Sequence, residues 1–172
     1  SDCDTKWPQF TEGTLSSKEY WNEGDENRFL PGRWLNDDII SHYSSMLNGM
    51  HSKHYCAPTA FAVKVSKQQS TGQNWKRFQM EPLVDKGFQS LLIPYNVDNE
   101  HWVLVEIFLD RSGAVYYDSM YDNDPTTAES RRSEIEVDLK VHFGETINGA
   151  WSLQVGTTAQ QKGTADCGVY VV

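Results

Sequence analysis

Near the end of the chain, QQKGTADCGVYVV (160–172) sets Cys167 between Asp166 and Gly168, behind Gln160 and Gln161. A cysteine acting as a nucleophile needs a base, a group that orients the base, and donors for an oxyanion. His101 in DNEHWVLVEI opens an apolar run and is the candidate base. Asp118 in VYYDSM closes the next run and is the candidate orienting acid. Gly163 and the polar residues after it mark a turn, and GVYVV could begin a helix with Cys167 at its N-terminus. There the unpaired N–H groups and the helix dipole would favour a thiolate. By propensity the run VYVV suits a strand equally well. Each residue also has a bland reading. Cys167 could be a small buried hydrophobe, His101 a strand cap, Trp102 core and Asp118 a turn residue.

The elements that must position these groups leave clear patterns. In RWLNDDIISHYSSMLNGM, Leu35, Ile39, Tyr43 and Leu47 recur every four residues, predicting a helix. Asn36 can cap it, with Asp37 and Asp38 in the first turn where negative charge is favoured. Ser16 and Glu19 form a capping-box pattern for a short earlier helix, and NEGDENRFLPG reads as a loop. FQSLLIPYN, HWVLVEIFLD and GAVYYDSM read as strands, and their nearly continuous apolar character predicts a sheet covered on both faces. WSLQV is a further short strand, and Ile135, Leu139 and Phe143 mark a second long helix. The order of helix, strands and helices is that of an α+β protein.

The second and third strands form a hairpin joined by residues 110–113, so His101 and Asp118 come to one edge of the sheet. An idealised register centred on that connection opposes Asp118 to Val105 rather than His101. Residues 101, 103 and 105 share a face, so the orientation suits a contact and the reach does not. A bulge, a twist or a longer connection must close the gap.

The totals exclude several classes. At 172 residues the chain fits one domain with a sizeable core. A formal net charge of −9 opposes general attraction to nucleic acid or an anionic membrane and leaves room for a basic partner. Three cysteines are too few for a disulfide framework, which points to a reducing, intracellular setting. There is no apolar run of spanning length, and SDCDTKWPQF lacks the features of a signal peptide. His51, His54 and Cys56 match no closed zinc site, His142 reads as an ordinary helix residue, and the DNDP loop as a solvated surface. No metal or cofactor is expected.

Together WLNDDII (34–40), HW (101–102), DS (118–119) and the Gln161-x5-Cys167 spacing ending in DCG resemble the SUMO-specific, ubiquitin-like-protein-specific cysteine proteases. That family belongs to the papain-like, adenain-like clan. The order His, Asp, Gln, Cys matches, and the pattern runs from about Leu15 to the last residue. The resemblance implies a papain-like α+β fold with a mainly antiparallel or mixed sheet flanked by helices and the nucleophile at a helix N-terminus. It implies that Cys167 attacks the carbonyl after a Gly-Gly tail, His101 moves the proton and Asp118 fixes the imidazole. The Gln161 side chain, with the Cys167 backbone N–H, would hold the oxyanion. Trp34 and Trp102 would flank the tail in a tunnel that passes only residues without side chains, and Asp37 would pair with a basic residue of the modifier.

The implied partner is SUMO or another ubiquitin-like protein and its conjugates. The implied protein is a monomer in the nucleus or cytoplasm, of a eukaryotic cell or of a microbe acting inside one. Two features depart from the family pattern. Gly163-Thr164 stands where Asn-Gly is usual, and the family domain normally continues well past the cysteine. The expectation is one catalytic domain over 1–172 lacking that C-terminal extension. Alternatives are a protease for ubiquitin or another modifier, an acyl-CoA-dependent acetyltransferase of related fold, and a non-catalytic modifier-binding module. The paired tryptophans favour a Gly-Gly tunnel over an acyl-CoA pocket.

Overall fold

The structure, a computed structural model, describes residues 24, 26–30, 32–50, 53–66, 81–110, 112–143 and 152–171. The capping pattern at Ser16 lies outside them. A 3-10 turn at Glu26–Phe29 interrupts the stretch expected to be loop. It is followed by α1 (Asp37–Gly49), β1 (His54–Cys56), α2 (Thr59–Ser66), α3 (Glu81–Asp85), β2 (Ser90–Val97) and β3 (His101–Phe108). Then come β4 (Ala114–Tyr117), α4 (Pro125–Phe143), β5 (Leu153–Val155) and α5 (Cys167–Val171). The Asn36 side chain accepts the Ile39 N–H at 3.1 Å, so α1 starts where its capping residue stands.

The sheet has the order β1-β2-β3-β4-β5. Its centre, β2–β3–β4, is antiparallel, while β1 joins β2 and β5 joins β4 in parallel. Pro94 is tolerated within β2 because β1 pairs only with Ser90 to Leu92, leaving Pro94 on a locally open side. Asn48 satisfies both the N–H and the C=O of Cys56 on β1, at 2.7 and 2.9 Å. Glu136 and Arg132 do the same for Leu153 on β5, at 3.1 and 2.8 Å. Side chains thus occupy strand-edge groups that would otherwise be open to pairing.

On one face of the sheet Val103, Val105 and Ile107 of β3 pack with Leu91, Ile93 and Tyr95 of β2 and with Tyr116 of β4. Phe61 of α2 and Ile135 and Leu139 of α4 cover them. Each such aliphatic or aromatic side chain contributes on the order of 1.5–3 kcal/mol by leaving water. The expected two-sided burial needs correction. Among the described residues the second face is covered near the His101 end, where Trp102 packs with Leu35, Ile39, Ile40 and Cys167, and Cys56, Ser90 and Pro94 on it are also buried. Further along β3, Leu104, Glu106 and Phe108 are half-buried.

Val105 pairs with Tyr116 and Leu104 with Tyr117, so continuing the β3–β4 register sets Asp118 across from Val103, two residues nearer His101 than the idealised hairpin. The connection is residues 109–112, not 110–113, because Phe108 donates to the Gly113 carbonyl at 3.0 Å. Gly113 adopts φ 152°, a backbone that side chains disfavour, and this closes the hairpin earlier.

Candidate active site

The turn before β3 delivers the histidine. Asp98 and Asn99 both take left-handed backbone, φ 56° and 58°, and Glu100 donates to the Val97 carbonyl at 3.0 Å. Asp and Asn tolerate that conformation better than most residues. The turn is therefore three residues long, and His101 enters β3 as its first residue, opposite Val97.

His101 is 3% exposed, and its Nε2 lies 2.7 Å from Asp118 Oδ1. The carboxylate only accepts, so Nε2 carries the hydrogen and Nδ1 is left to face a second partner. Asp118 is itself held by the Tyr116 hydroxyl, which donates to Oδ2 at 2.7 Å, and by the Met120 N–H at 2.8 Å on Oδ1. Burial alone would push the Asp118 carboxyl up. The hydrogen bonds from His101, Met120 and Tyr116 outweigh it and hold the group below the usual range. Burial likewise pulls His101 down, yet Asp118 and the Cys167 sulfur outweigh it and hold the imidazole up at about 9.

Cys167 is the first residue of α5 and is 1% exposed. Burial opposes its ionisation, but the imidazole and the backbone N–H groups of Trp102 and Gly168 bring its pKa below that of an ordinary thiol. Nδ1 of His101 is buried without a hydrogen bond of its own, so its coupling to the sulfur is a contact looser than a hydrogen bond. Such contacts tighten when substrate closes the site. A raised imidazole and a lowered thiol both shift in the direction that favours a thiolate–imidazolium pair.

Close packing sets the sulfur in place. The Trp102 indole N–H donates to the Leu35 carbonyl at 3.0 Å, tying β3 to the start of α1. A side-chain carbon on Gly168 would lie 2.9 Å from Leu35 Cβ, so glycine after the cysteine lets α5 press against that strap. The run VYVV is helical here.

Gln161 is 2% exposed, and its Oε1 accepts from the Ser119 hydroxyl at 2.6 Å. The structure thus brings His101, Asp118, Cys167 and Trp102 together and joins Gln161 to them through Ser119. Trp34 is 40% exposed immediately before Leu35, and Asp37 is exposed in the first turn of α1. Four supporting groups escaped the reading of the sequence: the Tyr116 hydroxyl, Ser119, the Leu35 carbonyl, and Gln160, whose Nε2 donates to the Asp118 carbonyl at 3.0 Å. Tyr116 left a signal, since it stands two residues before Asp118 and strand alternation gives both one face. His54 Nδ1 lies 2.6 Å from the Ser90 hydroxyl, and His51 is outside the described residues.

Residues 33–172 match the model of the Ulp1 protease family, C-terminal catalytic domain. The chain belongs to that family. A sentrin-specific protease of Caenorhabditis elegans is 29% identical over 147 residues, 80% of this chain and 20% of that protein. Ubiquitin-like-specific protease 1 of Saccharomyces cerevisiae (strain ATCC 204508 / S288c) is 24% identical over 148 residues, 86% of this chain and 24% of that protein. The chain therefore spans about a fifth to a quarter of these curated relatives. A solved structure of the C-terminal Ulp1 protease domain in complex with Smt3, the yeast ortholog of SUMO, superposes with TM-score 0.65 at 23% identity. The match covers 86% of this chain and 66% of that one. The Ulp1-type α+β, papain-like fold, with its mixed sheet and the cysteine at a helix N-terminus, is thus the fold of this family member.

Proposed function

We propose that this chain is a thiol protease and isopeptidase that cleaves after the C-terminal Gly-Gly of a ubiquitin-like modifier, SUMO before others. The observation that carries the reading is buried Cys167 at the N-terminus of α5 beside a His101 held 2.7 Å from Asp118, within a chain of the Ulp1 protease family. In this reading the Cys167 thiolate attacks the carbonyl carbon of the terminal glycine. The C=O electron pair moves to oxygen as an oxyanion, held by the Gln161 amide and the Cys167 N–H. His101 gives its Nδ1 proton to the leaving amine as the C–N bond breaks, leaving a thioester. The neutral imidazole then takes a proton from water, whose oxygen attacks the thioester, and the tail carboxylate and the thiolate are released.

Asp118 keeps the imidazole tautomer correct through both steps. A thiol only 1% exposed is reached most readily by a chain without side chains, which supports a Gly-Gly tail. Trp102, pinned to Leu35, and Trp34 would flank that tail, while Asp37 at the start of α1 would meet a basic residue of the modifier. Binding energy from the modifier's globular surface then positions the tail, so short peptides should be poor substrates. The complex of the Ulp1 domain with Smt3 supports SUMO as the partner class. A reducing cellular compartment suits the free thiols of Cys56 and Cys167.

The test is to mix the chain with C-terminally electrophilic SUMO, ubiquitin and other ubiquitin-like probes and read intact mass, beside Cys167→Ala and His101→Ala. A SUMO adduct lost in Cys167→Ala is expected. An adduct with ubiquitin alone would reassign the modifier, and no adduct with any probe would overturn the reading.

A further inference from the structure

Gln161 is gripped at both ends of its amide. Its Nε2 donates to the Gly163 carbonyl at 2.6 Å, and its Oε1 takes the Ser119 hydroxyl at 2.6 Å. A carbonyl can only accept, so the amide nitrogen must lie on the Gly163 side and the oxygen on the Ser119 side. The Ser119 hydroxyl is therefore the donor. The backbone closes the same clamp, since the Gln161 N–H donates to the Ser119 carbonyl at 2.8 Å. Ser119 is 3% exposed, so neither end of this contact is exchanged for water.

An amide carries two N–H donors, and one is spent on Gly163. Gly163 reaches this position because its turn folds back on the residue before the nucleophile. A side-chain carbon there would stand 2.9 Å from Asp166 Oδ2. Ser119 in turn is placed by Asp118, whose carboxylate takes the Met120 N–H and whose carbonyl takes the Gln160 amide. The residue that orients the base and the residue that grips Gln161 are thus adjacent in one turn.

We propose that Ser119 is a positioning residue for acyl transfer: its hydroxyl locks the Gln161 amide so that the second N–H is presented to the oxyanion. The proposal rests on the reading of Cys167 and Gln161 given above. Terminal amide torsions are broad and two-fold, so an unlocked glutamine rotates easily. Without Ser119 the buried Oε1 loses its donor, and rotation can present oxygen, which repels the oxyanion, in place of N–H.

The test separates acyl transfer from thiol reactivity. Iodoacetamide alkylates a thiolate by forming S–C as C–I breaks, with no oxyanion, so its rate reports the Cys167–His101 pair alone. Hydrolysis of a fluorogenic C-terminal amide of SUMO needs the oxyanion as well. Ser119→Ala is expected to lower kcat about tenfold with KM nearly constant, and to leave the alkylation rate of Cys167 unchanged. In a Gln161→Ala background, itself slower by on the order of 10²-fold, Ser119→Ala should add no further loss. Ser119→Cys, a weak donor, should fall between. An unchanged kcat, a parallel loss of alkylation, or losses that multiply in the double variant would each overturn the role of Ser119 and leave the protease reading intact. No turnover by the unmutated chain would remove that reading and the proposal with it.

Discussion

Asp118→Asn removes a charge while keeping a shape. The asparagine oxygen can still accept from His101 Nε2 and the Met120 N–H, the bonds now made to Oδ1 at 2.7 and 2.8 Å. The Tyr116 hydroxyl, now donating at 2.7 Å, can turn and accept from the new amide. What disappears is the carboxylate that keeps the imidazole protonated near pH 9. Without it the ring falls back toward about 6.5, since only the Cys167 sulfur is then left to oppose burial. At pH 7.5 a group titrating near 9 is roughly 97% protonated and one at 6.5 roughly 9%. The imidazolium population, and with it the thiolate it stabilises, drops by up to about tenfold, and the tautomer is no longer enforced. Turnover should fall by about 10²-fold or more.

The assay is the pH dependence of Cys167 alkylation and of modifier cleavage, run in parallel. In the unmutated chain alkylation should persist below the ordinary thiol range, because Cys167 is lowered. If His101 protonates the leaving amine as proposed, cleavage should decline as pH rises through about 9, when that proton is lost. In Asp118→Asn that alkaline decline should move to lower pH, while alkylation at neutral pH slows. An Asp118→Asn profile superimposable on the parent, with turnover reduced less than about threefold, would refute the charge argument.

Two further outcomes follow from packing. Gly168→Ala puts a carbon 2.9 Å from Leu35 Cβ, so α5 must shift. It should cost about 1–3 kcal/mol and slow both alkylation and cleavage, checked by thermal unfolding beside the two rates. Tyr116→Phe strips a donor from buried Asp118 Oδ2. It should destabilise the fold by about 1–3 kcal/mol, lowering Tm by about 2–4 °C per kcal/mol, with retention of the parent Tm as the contrary result.

Much of the site could be read along the chain, because residue type and order carry chemistry directly. A cysteine flanked by Asp166 and Gly168, a histidine opening an apolar run and an aspartate closing the next are local facts. So is α1, whose four-residue period and Asn36 cap are properties of consecutive residues. The reach between His101 and Asp118 was not legible, because it depends on register. The early closure of the β3–β4 hairpin at Gly113 decided that register, and the turn through Asp98 and Asn99 fixed where His101 enters β3.

Nor could propensity choose between helix and strand for VYVV. The choice lies in tertiary packing, where Gly168 lets a helix close on Leu35 and places Cys167 at its N-terminus. Composition likewise could not foretell that Trp102 would be sealed by the Leu35 carbonyl, or that Ser119 would hold Gln161 across 42 positions of sequence. Residue identity by itself determined which groups can carry charge and protons. Only the tertiary structure decided their pKa order, because burial and hydrogen bonding are set by neighbours far away along the chain.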